Sequence, residues 1–128
     1  MDILGVLGYP FFMQKEDEMM SFMMMLTYHG EGNNAVNFTK EMMESGIVES
    51  IRKLDGCIQY AYYFPYDHHN TVILIDEWKD QDALDAYHAS DLMQHVAMLR
   101  EKYDLHVTSR RLIDDISNAH IDDRFLRK

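Results

Sequence analysis

The sequence of 128 residues has few basic side chains, a single cysteine and no long apolar run. Twelve Lys and Arg against twenty-two Asp and Glu give a net charge of −10, which disfavours nucleic acid or an anionic membrane surface as a partner. Cys57 cannot form an intrachain disulfide, so we expect a reducing, cytoplasmic compartment. No apolar stretch approaches the ~20 residues that a membrane-spanning helix requires.

The sequence also lacks the motifs of several enzyme classes. It has no Gly-rich phosphate loop, no CxxC pair and no GxSxG nucleophile elbow. His68 and His69 lie in a polar segment without a third ligand at metal spacing, so we predict no metal site. What remains is an ordinary globular composition, with 47% apolar and 27% charged residues, in a chain of single-domain length.

Three segments are expected along the chain: an N-terminal extension over residues 1–20, a core domain over 21–113 and a polar tail over 114–128. Within the extension, residues 3–13 are apolar, but an acidic residue precedes them and a charged stretch follows, unlike a signal peptide. We interpret this part as packing on the domain or on a partner subunit. A natural start at Met19 or Met20 accounts for it equally well.

The most informative pattern begins at Thr71, where a β-branched apolar run predicts a buried strand. Because side chains alternate along a strand, one face carries Val72, Leu74, Asp76 and Trp78. The opposite face carries Ile73, Ile75 and Glu77. Burying a carboxylate is costly unless it is paired. Asp76 is therefore a candidate functional residue, and its apolar surroundings should raise its pKa.

Similar patterns predict three further strands, at residues 21–29, 57–64 and 105–112. A helix is expected over residues 35–54, with a weak point at Gly46, and two more helices should begin near Gln81 and after a capping Ser90. The second strand places Tyr60 and Tyr62 on one face, together with Ile58 and Phe64. The order strand–helix–strand, repeated once, predicts an α+β, ferredoxin-like βαββαβ fold with an antiparallel sheet.

Such a sheet carries its helices on one face and leaves the other bare. Here the bare face has Met23, Met25, Ile73 and Ile75, which are too apolar for contact with water. We therefore expect a homodimer in which two sheets pack face to face as a dimeric α/β barrel.

Residues 76–90, DEWKDQDALDAYHAS, resemble the signature of the antibiotic biosynthesis monooxygenase family, and its small quinol-monooxygenase-like members are the nearest match. Residues 45–52, 55–60 and 99–106 are also similar to this group, so the resemblance covers about residues 21–113. It implies the fold predicted above and oxygenation of a small molecule without a cofactor. The family also includes isomerases and haem-degrading members.

The resemblance carries over to individual positions. Asp76 and Trp78 match the acid and the aromatic residue of the family pattern, and Ser90 matches its Ser or Thr. Tyr87 stands where the family usually has a helix histidine, and His88 follows one residue later. The candidate site therefore has two catalytic residues and four substrate-binding residues: Asp76 and His88, with Trp78, Tyr60, Tyr62 and Tyr87.

Three functions agree with these patterns. The first is a cofactor-independent monooxygenase that acts on a quinol, phenol or polyketide-like molecule, with a carboxylate base in an aromatic pocket. The second is an isomerase or another proton-transfer enzyme acting on a small carbonyl compound. The third is a dimer that binds a small molecule without catalysis. The residues leave all three open.

Overall fold

The computed structural model describes residues 20–127. Its elements follow the predicted order, with each long connection carrying a pair of helices: β1 (Phe22–His29), α1 (Asn34–Glu44), α2 (Ile47–Arg52), β2 (Cys57–Tyr63), β3 (Thr71–Trp78), α3 (Gln81–His88), α4 (Asp91–Lys102) and β4 (His106–Leu112). Two short 3-10 turns, Ile116–Asn118 and Asp123–Phe125, follow in the tail. The predicted packing of residues 3–13 falls outside the described residues.

The four strands form one sheet in the order β2-β3-β1-β4, and every pairing is antiparallel. β1 is an interior strand, as its two apolar faces predicted. The helices pack on one side of this sheet. The predicted α+β, ferredoxin-like fold is confirmed. Within residues 20–127, no helix is long and apolar enough to cross a membrane.

The alternation of β3 is also as predicted. Its helix-facing residues are buried, whereas Ile73, Ile75 and Glu77 on the opposite face keep partial exposure in the single chain. Met23 and Met25 of β1 lie across from Glu77 and Ile75 on that same face and are only partly buried. The apolar open face of the sheet is therefore present. The dimer inferred from it stays a prediction.

Two local predictions were wrong in part. The first, a single helix over residues 35–54, was right about the weak point at Gly46 but wrong about the continuity of the helix. It is interrupted at Gly46, whose φ of 85° lies in the left-handed region, so α1 ends and α2 begins there. A residue in this conformation cannot continue a right-handed helix, and glycine adopts it without the steric penalty of a Cβ.

The second wrong prediction placed Ile58 and Phe64 on the core face of β2. The β2–β3 register shifts between Cys57 and Gln59, which makes Ile58 the extra residue of a β-bulge and leaves it 55% exposed. Cys57 packs against the core, and Phe64 lies exposed just after the strand ends. Tyr60 and Tyr62 keep their helix-facing positions because the register is regular beyond the bulge.

Side-chain caps fix the two helices that follow β3. The Asp80 carboxylate accepts from the Ala83 N–H at 2.8 Å at the start of α3. Ser90 caps α4, as predicted, by accepting from the Met93 N–H at 3.4 Å, and its hydroxyl donates to the Tyr87 carbonyl at 2.6 Å. The junction of α3 and α4 is thereby held at the turn that carries Tyr87.

Gly56 offers a test of how closely α3 packs on the turn before β2. A Cβ at Gly56 would lie 2.5 Å from the Ala83 Cβ, whereas Gly46, with nearly the same φ, has open space around it. We expect Gly46→Ala to lower the free energy of unfolding by about 1 kcal/mol. Gly56→Ala should lower it by about 2–4 kcal/mol, because overpacking is added. Urea denaturation followed by circular dichroism measures both, and equal losses would contradict this packing.

Candidate active site

Asp76 lies on an interior strand and faces the helices. It is opposite Met24 of β1 and Tyr60 of β2, and it is only 4% exposed. The Trp78 indole Nε1–H donates a hydrogen bond to Asp76 Oδ2 at 2.7 Å, while Oδ1 has no partner. Burial raises the pKa of Asp76 to about 6, although the Trp78 bond, the backbone N–H of Asp76 and, least of all, the charge of Arg100 oppose this shift. The direction is the one expected from its apolar surroundings.

Aromatic rings surround this carboxyl group. Tyr87 stacks on Trp78 with ring centroids 5.1 Å apart and an interplanar angle of 15°. The ring of Tyr60 lies edge-on to Tyr62 and to Tyr87, at 6.0 and 6.4 Å. The structure therefore brings together five of the six predicted site residues: Asp76, Trp78, Tyr60, Tyr62 and Tyr87.

The polar atoms of this cluster are unusual because they are buried without partners. Among the described residues these are the hydroxyls of Tyr60, Tyr62 and Tyr87, with Asp76 Oδ1 and Arg100 Nε. Buried polar groups in folded proteins are nearly always hydrogen-bonded, and each unsatisfied one costs about 1–3 kcal/mol. A concentration of such atoms beside a carboxyl group of raised pKa is typical of a site that receives a polar ligand.

The tyrosines of the cluster are neutral hydrogen-bonding groups. Burial raises the pKa of Tyr60 and Tyr62 well above the ordinary value, and it raises that of Tyr87 to about 12. Tyr60 and Tyr87 influence each other's pKa, yet their hydroxyls make no hydrogen bond of acceptable geometry. Each can donate to an oxygen of a bound molecule.

His88, the sixth predicted residue, occupies a different position. It is exposed in the last turn of α3, and the centroid of its ring lies 5.6 Å from that of its neighbour Tyr87. Partial burial lowers the pKa of His88, Asp85 opposes this shift, and Arg100 adds to it. His88 is therefore beside the cluster and not within it, and its catalytic role stays a prediction.

Tyr28 and Arg100 belong to the same cluster, and sequence reasoning missed both. Arg100 Nη2 donates to the Tyr28 hydroxyl at 2.8 Å, and the guanidinium carbon lies 5.2 Å from the centre of the Tyr28 ring. Arg100 follows buried Val96 by four residues, which places it near the inner side of α4. A charged side chain at that spacing was the available signal.

A groove of about 450 Å³ adjoins the cluster from outside. Its walls come from the end of β3, the outer part of α3 and the turn before β2, including Leu54, Lys79, Asp80, Ala83, Ala86 and Tyr87. Tyr87 is thus shared between the groove and the buried cluster, because its ring also stacks on Trp78.

The sequence and the fold are both similar to those of known proteins. Residues 40–98 match the family model described as antibiotic biosynthesis monooxygenase. The predicted resemblance to this family is therefore confirmed over residues 40–98. The match includes Asp76, Trp78 and Tyr87 of the cluster. No curated protein matches the sequence significantly.

Solved structures of other proteins show the same fold as this chain. A conserved protein from Methanosarcina mazei is 20% identical with a TM-score of 0.66, over 79% of this chain and 99% of its own. SnoaB, a cofactor-independent oxygenase from Streptomyces nogalater, is 14% identical with a TM-score of 0.64, over 74% of this chain and 93% of its own. At such identities the similarity establishes the fold alone.

The raised pKa of Asp76 predicts how the stability of this domain depends on pH. The folded value of about 6 exceeds the ordinary 3.8, so protonation of Asp76 favours the folded state. This contribution is fully present below the unfolded pKa and is lost as pH rises through the folded pKa. Asp76→Asn removes it, so the stability of the variant relative to the unsubstituted protein should rise by about 3 kcal/mol between about pH 3 and pH 7.

Urea unfolding of the two proteins across this pH range measures that difference. Glu49→Gln, which alters an exposed carboxylate, is the control and should leave the stability difference nearly constant. A constant difference for Asp76→Asn as well would contradict a raised pKa.

Proposed function

We propose that the protein is a cytoplasmic, cofactor-independent monooxygenase that acts on a quinol, phenol or polyketide-like small molecule, with Asp76 as its base. The observation that supports this most directly is the free Oδ1 of Asp76 within a buried aromatic cluster whose tyrosine hydroxyls also lack partners. The family match and the shared fold of a cofactor-independent oxygenase agree with it.

The first step of the proposed reaction is a proton transfer. A substrate hydroxyl donates to Asp76 Oδ1, while the Trp78 indole holds Oδ2 and thereby orients the carboxyl group. With a pKa of about 6, Asp76 is ionised near neutral pH and is more basic than an ordinary carboxylate. The proton passes to Oδ1, and the substrate becomes an electron-rich anion.

The second step uses the electrons of that anion. One electron passes to O₂, and the two resulting radicals combine to form a carbon–oxygen bond. The peroxide anion takes back the proton from Asp76, and the hydroperoxide then loses water as its O–O bond breaks, the C–H proton leaves and a carbonyl forms. One oxygen atom enters the product and the other leaves as water. A quinol supplies all the electrons that reduce O₂, so the balance needs no external reductant. The hydroxyls of Tyr60, Tyr62 and Tyr87 can donate to the developing oxyanion in surroundings that exclude water.

An oxygen electrode with a small panel of quinols tests this proposal. The purified protein, treated with a chelator, should consume O₂ in the presence of a substrate. Asp76→Asn should lower kcat by about 10²-fold or more, because the amide cannot accept the proton. The control Glu49→Gln makes the same change at an exposed position and should retain full activity.

The other outcomes distinguish the alternative functions. Turnover that persists without O₂ would favour an isomerase or another proton-transfer enzyme, which requires only the base. Full activity in Asp76→Asn would remove Asp76 from the mechanism. Binding without turnover of any panel member would favour a small-molecule-binding protein.

We also propose that the protein functions as a homodimer joined through the open sheet face. Met23, Met25, Ile73 and Ile75 form an apolar surface there that the single chain leaves partly exposed. A second copy would remove this surface from water and close the two sheets into a barrel.

Ile75→Lys should dissociate or unfold this dimer, because it places an ammonium group within the apolar interface. The control is Ile116→Lys, the same substitution at a residue of the tail that is 59% exposed. Size-exclusion chromatography with light scattering at micromolar concentration measures the mass. A stable monomer before substitution would contradict the proposal, as would an unchanged dimer in Ile75→Lys.

A further inference from the structure

Arg100 is a cation that has no acidic partner among the described residues. Within residues 20–127, none of the ion pairs includes it: its Nη2 donates to the Tyr28 hydroxyl, and its buried Nε has no partner at all. Arg100 is partly buried, and a buried polar atom such as its Nε is nearly always hydrogen-bonded in folded proteins. The charge of Arg100 is thus left for something other than a protein carboxylate.

Asp76 does not neutralise the charge of Arg100. The hydrogen bond of Asp76 comes from Trp78, and its second oxygen is free. The charge of Arg100 lowers the pKa of Asp76, but burial outweighs this effect, as it would not in a contact ion pair. The carboxylate and the guanidinium therefore act on each other at a distance, and each keeps an unpartnered atom.

A chain of packed rings links the two charged groups. Arg100 lies over the ring of Tyr28, which packs on Phe38, and Phe38 packs on Tyr62. Tyr62 contacts Tyr60, which lies opposite Asp76 in the sheet, so the two charged groups belong to one cluster. The side chains of this cluster are aromatic rings with neutral hydroxyls. Aromatic side chains that meet edge-on around Tyr60 are suited to contact with a planar aromatic molecule.

We propose that Arg100 binds a carboxylate of the substrate, and that the substrate class is an aromatic hydroxy acid whose hydroxyl meets Asp76. The inference rests on the proposed function for the role of Asp76, and it adds the acidic group. Such a molecule satisfies the free acceptor at Asp76 Oδ1 with its hydroxyl and the free donor at Arg100 Nε with its carboxylate. A neutral quinol can offer Arg100 only an uncharged hydroxyl oxygen, which is a weaker acceptor for a guanidinium group.

Calorimetric titration without O₂ tests the acidic group separately from catalysis. The probes are 2,5-dihydroxybenzoate and hydroquinone, which differ only in the carboxylate. The unsubstituted protein should bind the acid about 10- to 100-fold more tightly, as expected of a charge-assisted hydrogen bond. Comparison with 2,5-dihydroxybenzamide, a neutral molecule of similar size, separates charge from shape and needs no variant.

Arg100→Met should abolish the preference, because the thioether keeps much of the bulk of the side chain and has no donor. Arg100→Lys, which keeps the charge, should retain part of it. Arg124→Met removes the same charge from the tail and should leave the preference unchanged. Circular dichroism confirms that each variant is folded.

The outcomes separate the two proposals. An acid preference that depends on Arg100, in a protein that consumes no O₂, would support this inference and contradict the proposed monooxygenase activity. Equal affinity for acid and amide, absence of acid binding, or a preference that survives Arg100→Met would overturn the inference even if O₂ is consumed.

Discussion

The hydrogen bond from the Trp78 indole to Asp76 is the interaction on which the site depends. It gives a buried carboxyl group one good donor at 2.7 Å without the full charge of a contacting cation. A contact ion pair would lower the pKa of Asp76, whereas this neutral donor leaves burial dominant and the pKa at about 6. The same ring fixes Tyr87 by stacking, so one side chain orients the carboxyl group and its aromatic wall.

The polar atoms of this cluster lower the stability of the fold, although they are the groups that could bind a ligand. Three tyrosine hydroxyls, one carboxylate oxygen and one guanidinium nitrogen are buried without partners, each at a cost that apolar side chains would avoid. The surrounding fold tolerates this because Asp76 lies on an interior strand held by β1 and β2. The Ser90 hydroxyl fixes the turn that carries Tyr87. The polar atoms are thus held in place before any ligand binds, which is what transition-state stabilisation requires.

The fold followed from short patterns in the sequence. Alternation along β3 was sufficient to place Asp76 and Trp78 on the buried face, because successive side chains of a strand point to opposite sides. The helix break at Gly46 and the bulge at Ile58 changed individual positions without altering the order of elements. Patterns of apolar residues determine which elements form, but they are less informative about an inserted residue or a left-handed φ.

The residues of the candidate site also divide into those that the sequence predicted and those that only the structure revealed. By itself the sequence determined that five residues lie between the sheet and the helices, since their strand and helix positions follow from local periodicity: Asp76, Trp78, Tyr60, Tyr62 and Tyr87. Only the tertiary structure decided that Arg100 completes the cluster while His88, twelve residues earlier, stays exposed. Arg100 reaches Tyr28 across a separation of 72 residues, and that contact depends on how α4 packs over the sheet. Local spacing carries no information about such a crossing, because it is set by the packing of the whole core.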